Sequence, residues 1–231
     1  MTDKIALIVD SGADVPAVLL ASHENVVVVP LNVRQNGQDY LDGVTLTPDE
    51  FYARLAPDNL PQTASPAPEA VLQALQGLFD AGYTKVLGLT ISSALSATYQ
   101  GFRLAASEFP EGAVMVLDSK SAGIGTGLLA AYALRLIDAG TDFVEVLAKV
   151  QASIAKSHVF LYVPTLHYLQ AGGRIGKVAS VVGTALAIKP LLTVDAQGEV
   201  QSVAKVRSEA KAVKKLVALA LSQAGEAATI A

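Results

Sequence analysis

The stretch that decides the fold is Val86-Leu-Gly-Leu-Thr-Ile-Ser-Ser-Ala-Leu-Ser-Ala-Thr-Tyr99. It opens as an unbroken apolar run, which is typical of a strand covered on both faces in a parallel sheet. Hydroxyl side chains follow, and a helical pattern then continues through Phe102 and Ala106. The stretch therefore predicts a buried strand, a hydroxyl-rich turn and a helix that begins at the turn.

The hydroxyl-rich turn has two interpretations. Serine and threonine are preferred N-caps in any protein, so the turn can serve only to start the helix. A helix N-terminus also presents unpaired N–H groups and a partial positive charge, which suit a carboxylate or a phosphate. The turn alone leaves both interpretations open.

Two other apolar runs end in the same way as this strand. Ile5-Ala-Leu-Ile-Val9 stops at Asp10-Ser11, and Val114-Met-Val-Leu117 stops at Asp118-Ser119. In an open α/β sheet, ligands bind outside the carboxyl ends of the strands. Three polar strand ends at one edge are harder to explain as caps alone, so the sequence predicts a ligand site at this edge.

The composition limits the class of protein. Hydrophobic residues make up 52% of the chain and charged residues 16%, with a mean hydropathy of +0.42, which predicts a large core or an apolar cavity. No uninterrupted apolar run is long enough to span a membrane, and the first residues lack signal-peptide features, so we expect a cytoplasmic, not membrane-spanning protein. A net charge of −4 argues against nucleic acid as a partner. The absence of cysteine excludes disulfides and thiolate chemistry.

The pattern of elements predicts an α/β protein with two domains. Residues 1–157 alternate strands and helices, as expected for a parallel sheet with flanking helices, and residues 158–231 predict a second, smaller α/β domain. Within the first domain, we expect Asp14 to cap a short helix, Asn36-Gly37 to form a tight hairpin turn, and residues 60–68 to form a Pro-rich connector without secondary structure. In the second domain, residues 178–186 predict a short helix, and Asp195-Ala-Gln-Gly198 between two apolar runs predicts a hairpin. The last residues, 228–231, resemble the opening of a strand, so we expect this domain to be incomplete at its C-terminus.

The first alternative function is a serine-dependent esterase or acyl-phosphate hydrolase that uses Ser92 or Ser93. Such an enzyme needs a base within hydrogen-bond reach of its nucleophile. We expect His23 to be solvated and His158 to be structural, and only His167 lies near a Gly-rich turn. No Gly-x-Ser-x-Gly motif and no metal-ligand spacing is present. This alternative therefore lacks an obvious base.

The second alternative is a protein that binds a small polar anion, with the apolar residues serving only as core. The Gly-rich turn Ala171-Gly-Gly-Arg-Ile-Gly176 lacks the spacing of a phosphate-binding loop, so we predict no nucleotide site. Its arginine, Arg174, is either a planar fork for an anion or a clamp for a backbone carbonyl. The sequence leaves these two roles open.

Several motifs, in order along nearly the whole chain, resemble the DegV family. The most specific are the serine stretch and the Gly-Gly-Arg turn, and the others support them. The motifs are Asp10-Ser11 with Asp14, Pro30-Leu31 with Tyr40-Leu-Asp42, Thr63-Ala-Ser-Pro66, Ile91-Ser-Ser-Ala-Leu-Ser-Ala-Thr-Tyr-Gln100, Asp118-Ser119, Leu169-Gln-Ala-Gly-Gly-Arg-Ile175 and Ile188-Lys-Pro190. The resemblance implies a two-domain α/β fold that binds a long-chain fatty acid in an apolar tunnel.

The resemblance also implies specific roles for residues. Thr63 and Ser93 would bind the fatty acid carboxylate, with the Ala94 amide as a third donor. Arg174 would lie near the head group, as would Ser92 and Ser96. The ligand would be of the palmitate, stearate or oleate class, and no metal or other cofactor is implied. A fatty acid kinase would be the partner and the catalyst, so the chain itself would not be an enzyme.

Three departures from the family pattern bear on the site. The connector has Thr63-Ala-Ser-Pro66 where the family usually has Thr-Ser-Gln-Pro. Ala97 stands where the family has glycine, which is tolerable only if φ is negative there. The chain also ends before a His-Gly-Pro-Gly-like segment that faces the head group in the family.

Overall fold

The structure is a computed structural model, and it describes residues 3–56, 59–181 and 189–224. The chain divides into two compact units, Met1–Ser157 and His158–Ala231. The first unit contains β1 (Ile5–Asp10), α1 (Ala17–Ser22), β2 (Val26–Val29), β3 (Asn32–Gln35), β4 (Gln38–Leu41), α2 (Pro48–Arg54), β5 (Gln62–Ala64), α3 (Pro68–Asp80), β6 (Lys85–Thr90), α4 (Thr98–Ala106), β7 (Val114–Asp118), α5 (Ile124–Asp138) and α6 (Phe143–Ile154). The second unit contains β8 (Phe160–Tyr162), α7 (His167–Ala171), β9 (Lys189–Val194), β10 (Val200–Val206) and α8 (Glu209–Gln223).

The first unit is built on a parallel sheet of strand order β2-β1-β6-β7. Both faces of its central strands are buried, because successive side chains of a strand point to opposite faces. Leu7 and Val9 pack with α5 and α6, whereas Ala6 and Ile8 pack with α3 and α4. The predicted parallel sheet with flanking helices is therefore confirmed.

A small antiparallel sheet of order β4-β3-β5 lies in the same unit. Asn36-Gly37 forms the predicted tight turn between β3 and β4, with positive φ at both residues. The prediction of a connector without secondary structure is wrong at Gln62–Ala64, which pairs with β3. The open edge of β3 supplies partners for these backbone groups, and Pro61 and Pro66 lie just outside the paired residues.

The helix cap predicted at Asp14 is also wrong. Asp14 has φ 47° and follows a 3-10 turn, and the helix begins only at Ala17. The first turn of α5 packs directly on this loop, because a Cβ on Gly127 would come within 2.7 Å of the carbonyl oxygens of Ala13 and Asp14. Packing against a helix more than a hundred residues further along therefore decides the local conformation.

His23 differs from its prediction as a solvated residue. Its side chain is 15% exposed, and Nε2 lies 2.9 Å from a carboxylate oxygen of Asp138 at the end of α5. The Asp138 carboxylate raises the pKa of this imidazole, because it stabilises the charged form. The pairing joins residues 115 positions apart, so no local pattern could reveal it.

The second unit contains an antiparallel sheet of order β10-β9-β8. The predicted hairpin is confirmed: Asp195 Oδ1 accepts the N–H groups of Gln197 and Glu199, and Gly198 has φ 86°. In place of the helix predicted over 178–186, the described part is a 3-10 helix at Gly176–Val181. The rest of that segment and the predicted strand at 228–231 lie outside the described residues. No helix in the described ranges is long and apolar enough to cross a membrane.

Candidate functional site

The carboxyl ends of three parallel strands meet at one edge of the first unit, as the sequence predicts. Thr90 at the end of β6 is in register with Asp118 at the end of β7. Asp10, at the end of the neighbouring β1, accepts the backbone N–H of Ile91 on Oδ2 at 2.9 Å. The ends of all three strands are therefore joined to the turn that follows β6.

Asp10 connects two loops at this edge, because its buried carboxylate accepts hydrogen bonds from both. Its side chain is fully buried, and Oδ1 accepts the Gly12 N–H at 3.0 Å. Burial raises the pKa of Asp10 from 3.8 to about 6, although the two N–H donors oppose the rise and nearby Asp14 adds to it. Because both carboxylate oxygens accept hydrogen bonds from backbone N–H groups, Asp10 holds the two loops in place and does not serve as a ligand-binding group.

The residues Ile91–Ala97 are here called the serine turn, and several of their N–H groups donate to acceptors within the protein. The Ser92 N–H donates to Ser121 O at 2.7 Å, and the Ser93 N–H donates to Asp118 Oδ1 at 3.2 Å. The Ala94 N–H donates to the Ser92 hydroxyl at 3.2 Å. These three N–H groups therefore have acceptors in the turn itself, at the end of β7 and in the loop after β7. The serine turn therefore presents side-chain hydroxyl groups, more than backbone N–H groups, to a ligand.

The hydroxyls of the serine turn differ in exposure. Ser92 is fully buried, and its hydroxyl caps the turn, whereas Ser93 and Ala94 are exposed. The Ser96 hydroxyl accepts the Thr98 N–H at 3.2 Å, but the N-cap of α4 is Ala97, whose side chain makes no hydrogen bond to the helix. Ala97 has φ −75°, so its replacement of the family glycine causes no strain. Ser93 is thus the serine of this turn that presents its hydroxyl most openly.

Thr63 lies on a segment that contacts the serine turn. It is the exposed central residue of β5 and pairs with Val33. Two residues later, the Ser65 hydroxyl lies 3.1 Å from the Ser96 hydroxyl. The structure therefore attaches the strand of Thr63 to the turn of Ser93, and both hydroxyls belong to the same unit.

Lys120 is a member of this site that the sequence did not reveal. Its Nζ lies 2.8 Å from Asp118 Oδ2 and 3.3 Å from the Ser93 hydroxyl oxygen. Burial would raise the pKa of Asp118, but hydrogen bonds from Lys120 and Ser93 outweigh burial and lower it. A lysine two residues after a strand-end aspartate matches no motif, so no sequence signal marks it.

The loop that carries Lys120 is held firmly. The buried Ser119 hydroxyl lies 2.9 Å from the Thr126 hydroxyl and accepts the Ser121 N–H at 3.1 Å. Lys120 itself has φ 51°, and its own N–H donates to Asp118 Oδ1 at 3.0 Å. These bonds fix the backbone on both sides of Lys120, so the conformation of the loop determines where its side chain begins.

Arg174 lies in the second unit, on an exposed turn. The Arg174 N–H donates to Leu169 O at 2.9 Å, Gly173 has φ 73°, and the guanidinium donates to the carbonyl of Gly172. Of its two predicted roles, the carbonyl clamp is the one visible within this unit. The proximity of Arg174 to a head group stays a prediction.

The remaining candidates for chemistry belong to the second unit. His167 is in the second unit, where its N–H donates to the Thr165 hydroxyl at 3.1 Å. A cavity of about 390 Å³ in the second unit lies between β10 and α8 and is lined partly by Lys211, Lys214 and Lys215. Within the described ranges, no group of three or more His, Cys, Asp or Glu side chains could hold a metal ion.

Comparison with known proteins gives consistent relatives. A DegV domain-containing protein of Clostridium acetobutylicum is 34% identical over 215 residues, which are 93% of this chain and 76% of the relative. The structure of a fatty-acid-binding DegV family protein from Thermus thermophilus superposes with a TM-score of 0.87, at 34% identity, covering 95% of this chain and 78% of that one.

A stearic-acid-binding protein from Eubacterium ventriosum also superposes with a TM-score of 0.87, at 29% identity, covering 96% of this chain and 76% of that one. The sequence profile described as "Uncharacterised protein, DegV family" matches residues 4–231. With this match along nearly its whole length, the chain belongs to the DegV family.

Proposed function

We propose that this chain binds a long-chain fatty acid of the palmitate, stearate or oleate class and presents its carboxylate to a fatty acid kinase. One observation carries the proposal. The exposed Ser93 follows the carboxyl end of β6, and the exposed Thr63 lies two residues before Ser65, which contacts Ser96, in a chain that matches a fatty-acid-binding DegV structure over 95% of its length. Both hydroxyls can donate to a carboxylate at this edge.

The polar contacts divide into direct and supporting ones under this proposal. Ser93 and Thr63 each donate one hydrogen bond to the carboxylate. The Ala94 amide can add a third bond only by sharing or leaving the Ser92 hydroxyl that it now contacts. Ser92 and Ser96 hold the shape of the turn, and Arg174 acts near the head group.

The apolar character of the chain fits an acyl ligand. Burying about 15 methylene groups is worth at most ~12 kcal/mol at ~0.8 kcal/mol each. The loss of ligand freedom on binding reduces this gain substantially. A mean hydropathy of +0.42 fits a protein that buries such a chain in addition to its own core. For a protein that binds a small polar anion, these apolar residues would serve only as core.

We further propose that the chain is a carrier and not a hydrolase. Ser92 is fully buried, which keeps its hydroxyl from a substrate. The amine that contacts Ser93 is that of Lys120, whose ammonium group is paired with Asp118 and has no lone pair to accept a proton. No histidine within the described ranges hydrogen-bonds to the serine turn. The kinase therefore supplies the chemistry, in the cytoplasm, where the sequence predicts the protein to be.

Extraction of the purified protein tests the binding proposal. Freshly expressed protein is denatured in organic solvent, and the released lipids are identified by mass spectrometry. We expect about one long-chain fatty acid per chain. If no such acid is released and none binds on addition, the carrier function is wrong.

A reconstituted kinase reaction tests the presentation step. Fatty acid kinase and ATP are mixed with free palmitate or with palmitate loaded on this protein. Acyl phosphate is expected only from the loaded protein. Equal product from free palmitate would show that presentation by this chain is unnecessary.

A further inference from the structure

We propose that Lys120 is a positioning residue for the fatty acid carboxylate: its ammonium group neutralises Asp118 and frees the Ser93 hydroxyl proton for the ligand. The inference rests on the proposed fatty acid function and extends it to a residue outside the family motifs that the sequence displays. It starts from a conflict of charge at the serine turn.

The conflict is that a carboxylate already lies beside Ser93. Asp118 is 9% exposed at its side chain, and Oδ1 accepts the Ser93 N–H at 3.2 Å. A ligand carboxylate bound to the Ser93 hydroxyl would therefore lie near a second negative charge. Two carboxylates that share a site repel each other, and the repulsion weakens binding unless a cation lies between them.

Lys120 is placed to remove this conflict. Its Nζ contacts both Asp118 Oδ2 and the Ser93 hydroxyl oxygen, so the ammonium group bridges the two residues. The same side chain is 38% exposed, which leaves it accessible from solvent. An ammonium group has three donors, so one remains after these two contacts.

The bridge also determines which way the Ser93 proton points. The Ser93 hydroxyl can donate only once, and Asp118 and a ligand carboxylate both compete for that proton. Lys120 donates to Asp118 Oδ2 and to the Ser93 oxygen, so Asp118 keeps a charged donor when the serine proton turns from it to the ligand. The hydroxyl is then a donor available to the ligand. This is preorganisation of a neutral donor by a neighbouring ion pair.

The experiment compares palmitate with hexadecanol, which has a similar chain but no charge. Delipidated protein is titrated with each ligand, and the affinity ratio of acid to alcohol is the readout. Lys120→Met keeps the side-chain length and removes the charge, so we expect acid affinity to fall by about tenfold or more and alcohol affinity to change little. Lys120→Arg keeps the charge and is expected to retain most of the acid preference.

A double variant separates charge from structure. Asp118→Asn keeps one oxygen for the N–H groups of Ser93 and Lys120 but removes the negative charge. In Lys120→Met/Asp118→Asn, both charges are gone, so the acid preference should return to within about threefold of wild type. The exposed pair of Lys149 and Glu145 on α6, 2.8 Å apart, is the matched control, and its neutralisation should leave the ratio unchanged.

The outcomes are distinct for the two proposals. Equal losses for acid and alcohol in Lys120→Met, or no recovery in the double variant, would overturn the role of Lys120 while wild-type binding still upholds the carrier. Should Lys120→Met fail to fold, Asp118→Asn alone decides, because it must prefer acid at least as strongly as wild type does. Absence of palmitate binding by wild type would overturn the carrier function, and the role of Lys120 with it.

Discussion

The carboxylate of Asp10 accepts the backbone N–H of Ile91 at 2.9 Å, across 81 positions of sequence. This bond fixes the first residue of the serine turn to the end of β1. The same carboxylate accepts the Gly12 N–H, so one buried side chain sets two loops at the site edge. The shape of the serine turn therefore depends on a group whose own ionisation burial disfavours.

We predict that Asp10 ionises late in an acid–base titration. Burial raises the pKa of Asp10 to about 6, whereas Lys120 and Ser93 lower the pKa of Asp118. Carbon-13 NMR of the carboxyl groups, with Asp10→Asn to assign the signal, should show a midpoint about two units above an ordinary aspartate. A midpoint near 3.8 would contradict the burial of the ionised group.

The raised pKa has a consequence for stability, with a definite sign. The folded state binds the Asp10 proton more tightly than the unfolded state, so this contribution is complete below pH ~4 and is lost as pH rises through ~6. The free energy of unfolding of wild type relative to Asp10→Asn should fall over this window, by at most ~3 kcal/mol at ~1.4 kcal/mol per pKa unit. A flat difference across this window would contradict the prediction.

We predict that Ser93→Ala weakens palmitate binding selectively. A hydrogen bond to a charged group contributes roughly 1.5–3 kcal/mol, so acid affinity should fall by about 10- to 100-fold. Hexadecanol affinity should fall less, because the alcohol carries no charge. Ser107, an exposed serine at the end of α4, provides the control variant Ser107→Ala, which should bind as wild type does. Unchanged acid affinity in Ser93→Ala, together with loss of a measured ester-cleavage rate, would favour the hydrolase.

Thr63→Val should weaken palmitate binding by a similar factor while it preserves the β-branched shape of the strand residue. In the proposed function, Thr63 and Ser93 donate to the same ligand group, so the two losses should not simply add in the double variant. Titration of both single variants and the double variant measures this coupling. Strict additivity would indicate that the two hydroxyls act on separate groups.

We predict that Arg174→Lys does not replace Arg174. One guanidinium nitrogen donates to the Gly172 carbonyl, and the planar group holds its other donors in a fixed fork that an ammonium group cannot reproduce. Arg174→Ala and Arg174→Lys should therefore lose comparable palmitate affinity in the same titration. Full recovery in the lysine variant would show that a positive charge alone is sufficient.

Gly127→Ala should destabilise the first unit. A Cβ at this position would lie 2.7 Å from two backbone oxygens, and forced overpacking costs about 1–3 kcal/mol. Gly77→Ala, at an exposed position of α3 with nothing within 4 Å of the added Cβ, should gain about 0.5–1 kcal/mol instead. Thermal unfolding of both variants checks the contrast, and a stable Gly127→Ala would contradict the tight packing of α5 on the loop after β1.

The sequence predicted the elements whose signals are local. The apolar run before Ser92 and the turn at Asn36-Gly37 both have short-range causes, and both are as predicted. The features that it missed have distant partners. β5 forms because β3 offers an edge, and His23 is covered because Asp138 comes to it from α5.

The candidate site shows the same division. The hydroxyls of the serine turn stand in one stretch, so the sequence located them directly. The engagement of the Ser92 and Ser93 amides depends on acceptors at Asp118 and Ser121, which only the parallel pairing of β6 and β7 brings near. Lys120 could not be predicted, because its contact with Ser93 depends on a loop held by buried hydroxyls of Ser119 and Thr126.

The most direct test of the account is calorimetric titration of the delipidated protein with palmitate, with hexadecanol and acetate as comparison ligands. The account predicts one saturable palmitate site per chain, weaker binding of hexadecanol and no measurable binding of acetate, because the acyl chain supplies most of the free energy. Acetate binding equal to that of palmitate, or no saturable palmitate binding, would contradict the claim that this chain carries a fatty acid.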